Sequence, residues 1–289
     1  MTDPGAQIRT FVASDGYPLH VTIWPAVKSA RGQIVVLHGV QSHAGWYRRL
    51  GSSLAAAGYA ASFPDRRGSG ANQRERGHAR SARRLLLDLI EWLKAMRLEH
   101  PGLPTALAGI SWGGKLAVIA AGRHPELVDA VALICPGLHP RVDVSRRERL
   151  AIAWAFLTNR RKTFPIPLSD PALFTANQEG QAFIAADPLS LREATAGLMA
   201  ASVVIDRLVA RAPSRIHQPA LLMLAGQDRI VDNERTLAFF RRLATTDRAV
   251  IEYPEGHHTL EFEPDPSRYA LDLVGWLDRH FLKNSEQGV

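Results

Sequence analysis

The stretch Gly109-Ile110-Ser111-Trp112-Gly113 sets a serine between two glycines, where the apolar run TALAGI gives way to the helix-like KLAVIAAGRH. A chain of this composition contains the pattern G-x-S-x-G only about 0.1 times by chance. On a sharp strand-to-helix turn, glycines at these two positions let strand and helix pass close together, and the hydroxyl stands clear of the sheet edge. Such a hydroxyl attacks a carbonyl only when a base takes its proton. Of the 11 histidines, His257 and His258, in EYPEGHHTLEFE, follow a late strand-like run through a glycine turn. The spacing from Tyr253 favours His258 as the base and leaves His257 as its neighbour or a substrate contact.

A histidine base needs a carboxylate that holds its tautomer. Asp228, in LAGQDRIVD, stands just past the run ALLMLAG, whereas the loop after the preceding run reads CPGLHP and offers no acid. Asp232, the rival, precedes the helix-like NERTLAFFRRLA and suits a helix N-cap. The oxyanion of an acyl-transfer intermediate needs donors as well. The backbone N–H of Val40, in HGVQSH, and that of Trp112 are the expected pair, with His38 and His43 as hydrogen-bonders that shape the loop.

Positioning these groups requires a sheet. Runs at 20–24, 33–39, 59–65, 105–110, 130–136, 220–226 and 249–254 have strand character, and segments of helical period separate them. In RRLLLDLIEWLKAM, for example, Leu86, Leu89, Leu93 and Met96 share one face. The alternation predicts an α/β fold, a mostly parallel sheet with helices on both sides. IRTFVAS and HVTIW, joined by DGYP, predict an antiparallel hairpin at its edge. Between 137 and 216 no strand is evident; helix-like pieces joined by FPIPLSDP predict an inserted helical cap (137–216) on a core formed by 1–136 and 217–289.

The chain has 289 residues, 46% of them hydrophobic, enough for a substantial core. It has no run of about 18 apolar residues, and its N-terminal stretch lacks the pattern of a secretory leader. The lone cysteine, Cys135, lies in an apolar run and reads as a structural thiol in a reducing, cytoplasmic setting. The net charge of +7 comes with arginine clusters in DRRGSGANQRERGHARSARR, SRRER and NRRK. Neither aromatic interleaving nor zinc-finger spacing accompanies them, so nucleic acid is not the expected partner. In PDRRGSGAN, Asp65 and the glycines organise a turn at the edge that carries Ser111, where Arg66 or Arg67 could meet an anionic group. AIAWAFL, with Trp154, Phe156 and Leu157, lies between two basic clusters. It suits peripheral contact with an anionic membrane surface, packing onto the core, or an acyl passage above Ser111 lined by Trp154.

HGVQSHAGWY, PDRRGSG, GISWGG, GQDRIVD and GHHTLEFE, with the order Ser111, Asp228, His258, resemble the successive signatures of the α/β-hydrolase superfamily. More narrowly they resemble its monoacylglycerol lipase and lysophospholipase-like branch, the serine aminopeptidase S33-like hydrolases. The resemblance runs from about residue 8 to 283. It implies a serine esterase of lipid-like substrates, of monoacylglycerol or lysophospholipid type, acting through an acyl-enzyme on Ser111 without metal or organic cofactor. An acyltransferase or thioesterase would use the same three residues; a peptidase or a binding module on this fold are further alternatives. Monoglyceride lipases of this branch carry an acidic residue and an arginine after the HG pair, and a histidine before the nucleophile. Here the matching positions are Ser42, Trp46 and Ile110, which leaves a glycerol head group fewer polar partners. With Trp154 and His257 they make up the expected substrate-binding positions. The HGGPG loop of proline iminopeptidases is absent, and a serine in place of aspartate excludes epoxide hydrolase and haloalkane dehalogenase chemistry.

Overall fold

The computed structural model describes residues 5–282; residues 1–4 and 283–289, included in the expected core, lie outside the described residues. One eight-stranded sheet runs β1 (Gln7–Val12), β2 (Pro18–Trp24), β4 (Tyr59–Pro64), β3 (Gly32–Leu37), β5 (Thr105–Ile110), β6 (Ala130–Ile134), β9 (Ala220–Ala225), β10 (Arg248–Tyr253) across the molecule. β1 and β2 form the antiparallel hairpin, Gln7 opposite Ile23, and β2 is antiparallel to β4. The other neighbours are parallel, as crossover helices require.

Alternation along the central strands splits the core in two. Leu107, Val131 and Leu133 point to one face, where α2 (Ala82–Glu99), α3 (Gly113–Arg123) and α7 (Asn233–Arg241) cover them. Ala106, Ala108 and Ile134 point to the other, under α1 (Arg48–Ala56) and α8 (Ser267–Phe281). Leu86, Leu89, Leu93 and Met96 of α2 are all buried on the sheet side.

Between β6 and β9 lie α4 (Arg146–Thr158), α5 (Gln178–Ala186) and α6 (Ala196–Val209). The expectation that this stretch lacks strands is corrected by β7 (Thr163–Pro165) and β8 (Glu193–Thr195), which pair antiparallel. Three residues are too few for alternation to be visible in sequence. α6 rests on α3: Trp112 Nε1 donates to Ser202 Oγ at 2.9 Å, and Lys115 pairs with Asp206 at 2.6 Å.

β5 and α3 meet closely. A Cβ on Gly109 would stand 2.5 Å from the Gly114 Cα, and one on Gly113 would stand 2.4 Å from the Leu37 carbonyl oxygen. Backbone, unlike a flexible side chain, cannot swing aside. Gly113→Ala is therefore expected to destabilise the fold by about 1–3 kcal/mol in urea unfolding. Gly275→Ala on α8, where the nearest atom would be Arg279 Nη1 at 4.0 Å, should gain up to about 1 kcal/mol in the same measurement.

Candidate active site

Ser111 joins β5 to α3 with φ of +51°, in the left-handed region that costs a non-glycine residue strain. Backbone hydrogen bonds hold it there. Its N–H donates to the Ile134 carbonyl at 3.0 Å, and its carbonyl accepts from Gly114 at 2.9 Å and Gly137 at 2.7 Å.

The loops after β5, β9 and β10 carry the three groups of interest. β5 and β10 are three strand spacings apart, about 14 Å, so the histidine loop must lean back across the sheet edge. The structure brings Ser111, Asp228 and His258 together: His258 Nε2 is 2.9 Å from Ser111 Oγ, and His258 Nδ1 is 2.7 Å from Asp228 Oδ2. Oδ1 of Asp228 accepts from the Ile230 and Val231 amides at 2.8 and 2.9 Å, so one carboxylate oxygen fixes the loop and the other faces the imidazole. With Nδ1–H donating to Asp228, Nε2 is left to accept from the serine hydroxyl. His258 and Asp228 are buried. Asp232 instead accepts from the Arg235 N–H and caps α7, and His257 Nδ1 faces Glu263, 3.3 Å away.

The loop after β3 passes in front of Ser111. A Cβ on Gly39 would lie 3.5 Å from Ser111 Oγ, and one on Gly137 would lie 3.2 Å from the Trp112 nitrogen. Among the described residues, neither the Val40 nor the Trp112 N–H has a hydrogen-bond partner. Two free amides beside a hydroxyl that is hydrogen-bonded to imidazole can together support attack on a carbonyl and hold the oxygen that gains charge.

The expected substrate contacts fare differently. Ser42 is spent on its own loop, accepting from the Gly39 N–H at 2.9 Å and sharing a hydrogen bond with the Tyr47 hydroxyl at 3.0 Å. Ile110 is buried in the core at the end of β5. Trp46 is buried too; its indole N–H donates to Asp187 at 2.7 Å, and its ring meets Phe174, Phe183 and Phe262. Phe174 in turn packs edge-on to His258, with ring centroids 6.1 Å apart, so this aromatic wall borders the site. Trp154 departs from expectation and lines no passage above Ser111: it is 69% exposed. α4 buries Ile152 and Ala155, and helical periodicity puts Leu150, Trp154 and Leu157 on the opposite side.

Sequence reasoning missed Asp187, Phe174 and Glu261. Asp187 accepts from His43 Nε2 at 3.0 Å as well as from Trp46, tying the end of α5 to the β3 loop. Burial pushes its pKa up, but these two donors outweigh that and hold it well below the usual carboxylate range. These contacts span more than 100 residues, and no local pattern announces them. Asp65 sits as expected, its two oxygens accepting from Ala44 and Ala71 N–H groups at 2.8 Å each. Arg67 is paired with buried Asp88 and with partly exposed Asp15, so its charge is already matched by carboxylates.

Comparison with known proteins fits this geometry. The model of a family described as serine aminopeptidase, S33, matches residues 28–265. A monoacylglycerol lipase of Mycolicibacterium smegmatis is 24% identical over 273 residues, 94% of this chain and 97% of its own. The phospholipase YtpA of Bacillus subtilis is 24% identical over 240 residues, 80% of this chain and 89% of its own. The crystal structure of a Paleococcus ferrophilus monoacylglycerol lipase superposes with a TM-score of 0.79 at 23% identity, covering 91% of this chain and 99% of that one.

Glu261, three residues past His258, ties the histidine loop to the start of α1. It accepts from the Arg49 N–H at 2.7 Å and from the Tyr269 hydroxyl. Burial raises its pKa from an ordinary 4.5 to about 7, against those donors. Between these values the folded protein keeps a proton that the unfolded chain has released, so stability falls as pH rises through this window. Relative to Glu261→Gln, the native protein should lose up to about 3 kcal/mol between pH 4.5 and 7. Urea unfolding at both pH values checks this, and identical pH slopes for the two proteins reject it.

Proposed function

Because this chain belongs to the serine aminopeptidase S33 family of α/β-hydrolases, we propose that it hydrolyses carboxylic esters of lipids through an acyl-enzyme on Ser111. The observation that carries this reading is the continuous line of hydrogen bonds from Asp228 through His258 to Ser111, beside two amides without a partner among the described residues. His258 Nε2 takes the hydroxyl proton as Oγ bonds to the ester carbon. The carbonyl oxygen, now negative, accepts from the Val40 and Trp112 N–H groups. His258 then gives the proton to the departing alcohol, and Asp228 stabilises the imidazolium in the interval. A water repeats the sequence on the acyl-enzyme, releasing the acid and restoring Ser111.

Two features support a lipid acyl group. Similar proteins are named monoacylglycerol lipase and phospholipase, and the wall of Trp46, Phe174, Phe183 and Phe262 gives an acyl chain an apolar surface beside His258. Monoacylglycerol- and lysophospholipid-type esters are the substrate classes we propose. Residues 137–216 act in this reading as a cap, fastened over the site by Asp187 and by the Trp112–Ser202 contact. The buried thiol of Cys135 suits a reducing compartment such as the cytoplasm.

Among the described residues no helix is long and apolar enough to cross a membrane. The outer face of α4 offers peripheral contact instead: Leu150, Trp154 and Leu157 are exposed along one stripe, flanked by Arg146, Arg147 and Arg149 on one side and by Arg160, Arg161 and Lys162 on the other. We propose that this stripe meets anionic lipid.

Ser111→Ala should lower turnover of p-nitrophenyl esters by about 10⁴-fold or more while leaving the urea midpoint nearly unchanged; turnover within tenfold of the native protein would overturn the assignment. Trp154→Asp with Leu157→Asp should cut co-sedimentation with phosphatidylglycerol-containing vesicles without slowing hydrolysis of a short, soluble ester. Undiminished sedimentation rejects the membrane face.

A further inference from the structure

Arg66 is a buried cation with no carboxylate in direct contact, Asp65 acting on it only through space. The residue is 9% exposed, and no carboxylate oxygen lies within 4.0 Å of its guanidinium among the described residues. Its neighbour Asp65 points both oxygens elsewhere, to the Ala44 and Ala71 amides. What Arg66 touches instead is the machinery around Ser111. Nη1 donates to the Gly39 carbonyl at 3.2 Å, Nη2 donates to the Val40 carbonyl at 2.9 Å, and the guanidinium carbon lies 4.8 Å from the centre of the Trp112 ring.

The Gly39 carbonyl is held twice. His38 Nε2 accepts from the Arg66 backbone N–H at 2.9 Å, which leaves the proton on Nδ1, and Nδ1 is 2.7 Å from that same carbonyl oxygen. In a planar trans peptide the C=O and the following N–H point in opposite directions. Tying the Gly39 carbonyl to Arg66 and His38 therefore turns the Val40 N–H away from them, on a loop whose Gly39 Cβ position would contact Ser111. A cation on the oxygen of an amide also polarises it and strengthens its N–H as a donor, because hydrogen bonds in a chain reinforce one another in a low-dielectric interior.

A buried cation with no carboxylate in contact with it is costly. The negative charge that develops on the substrate oxygen would offset that cost, and only in the transition state.

We propose that Arg66 is a positioning residue of the oxyanion site: its guanidinium aims and polarises the Gly39–Val40 peptide and braces Trp112, so that both N–H donors gain strength as charge develops on the substrate. This rests on the serine-hydrolase reading above and adds to it a residue outside the three-residue relay.

The test compares Arg66→Met and Arg66→Lys with the native protein on a soluble p-nitrophenyl ester, together with binding of an alkyl boronic acid, which becomes tetrahedral and anionic on a reactive serine. Arg66→Met is expected to lower kcat by about 10- to 100-fold, less than full loss of a donor would, with KM within about twofold. Boronic acid affinity should fall by the same factor as kcat. Arg66→Lys should recover part of both, since it restores charge without the fork. A packing role alone would lower the melting temperature of both variants equally and leave kcat and boronic acid affinity untouched; that result overturns the proposal, as does a loss confined to KM. If Arg66→Met does not fold, Arg66→Lys carries the test, its kcat and boronic acid affinity falling together or not at all. Fluorophosphonate labelling of Ser111 in the native protein separates the two levels of inference. Absent labelling removes the serine-hydrolase reading, whereas labelling with unaltered Arg66 variants removes only the role of Arg66.

Discussion

The whole arrangement depends on one strained turn. Ser111 occupies a left-handed backbone conformation because Ile134, Gly114 and Gly137 bind its peptide groups on both sides, and because Gly109 and Gly113 let α3 lie against β5 and β3 without a side chain between them. The strain is small beside the packing of the buried central strands, so the fold can impose it. In return the hydroxyl is presented at a fixed height at the end of β5, within reach of a histidine three strands away.

Around that turn the protein concentrates buried charge and polarity, each group given one task. Asp228 divides its two oxygens between loop and imidazole. Asp65 uses both oxygens to shape the loops before α1 and after β4. Asp187 reaches from the segment after α5 to His43 and Trp46. Glu261 fastens the histidine loop to the first turn of α1, a helix end where a carboxylate meets unpaired N–H groups. Loops that would otherwise move independently are thereby joined by hydrogen bonds in a medium where leaving any one unmade is expensive.

α4 shows how one helix can serve two surroundings. Its inner positions, Ile152 and Ala155, pack near Ala196 at the start of α6. Its outer positions are as apolar as the inner ones, yet they face solvent between two basic clusters. Such a helix has a weak amphipathic signal because both faces are apolar, and its orientation is decided by what it packs on.

The order of strands and helices, the hairpin at the sheet edge, the N-cap role of Asp232 and the candidate residues Ser111, Asp228 and His258 were legible in the sequence. They rest on local signals: alternation, helical period, glycines at a turn, and acids or histidines just past a strand. The short pair β7 and β8, the outward direction of Trp154, the loop-holding role of Ser42 and the contacts of Asp187, Glu261 and Arg66 were not. Each depends on groups that lie far apart in the chain or on which side of a helix is covered. Local sequence specifies the conformation a segment prefers, but which carbonyl a buried guanidinium finds, and which apolar face stays wet, is settled only when the segments pack and unpaired polar groups must find partners.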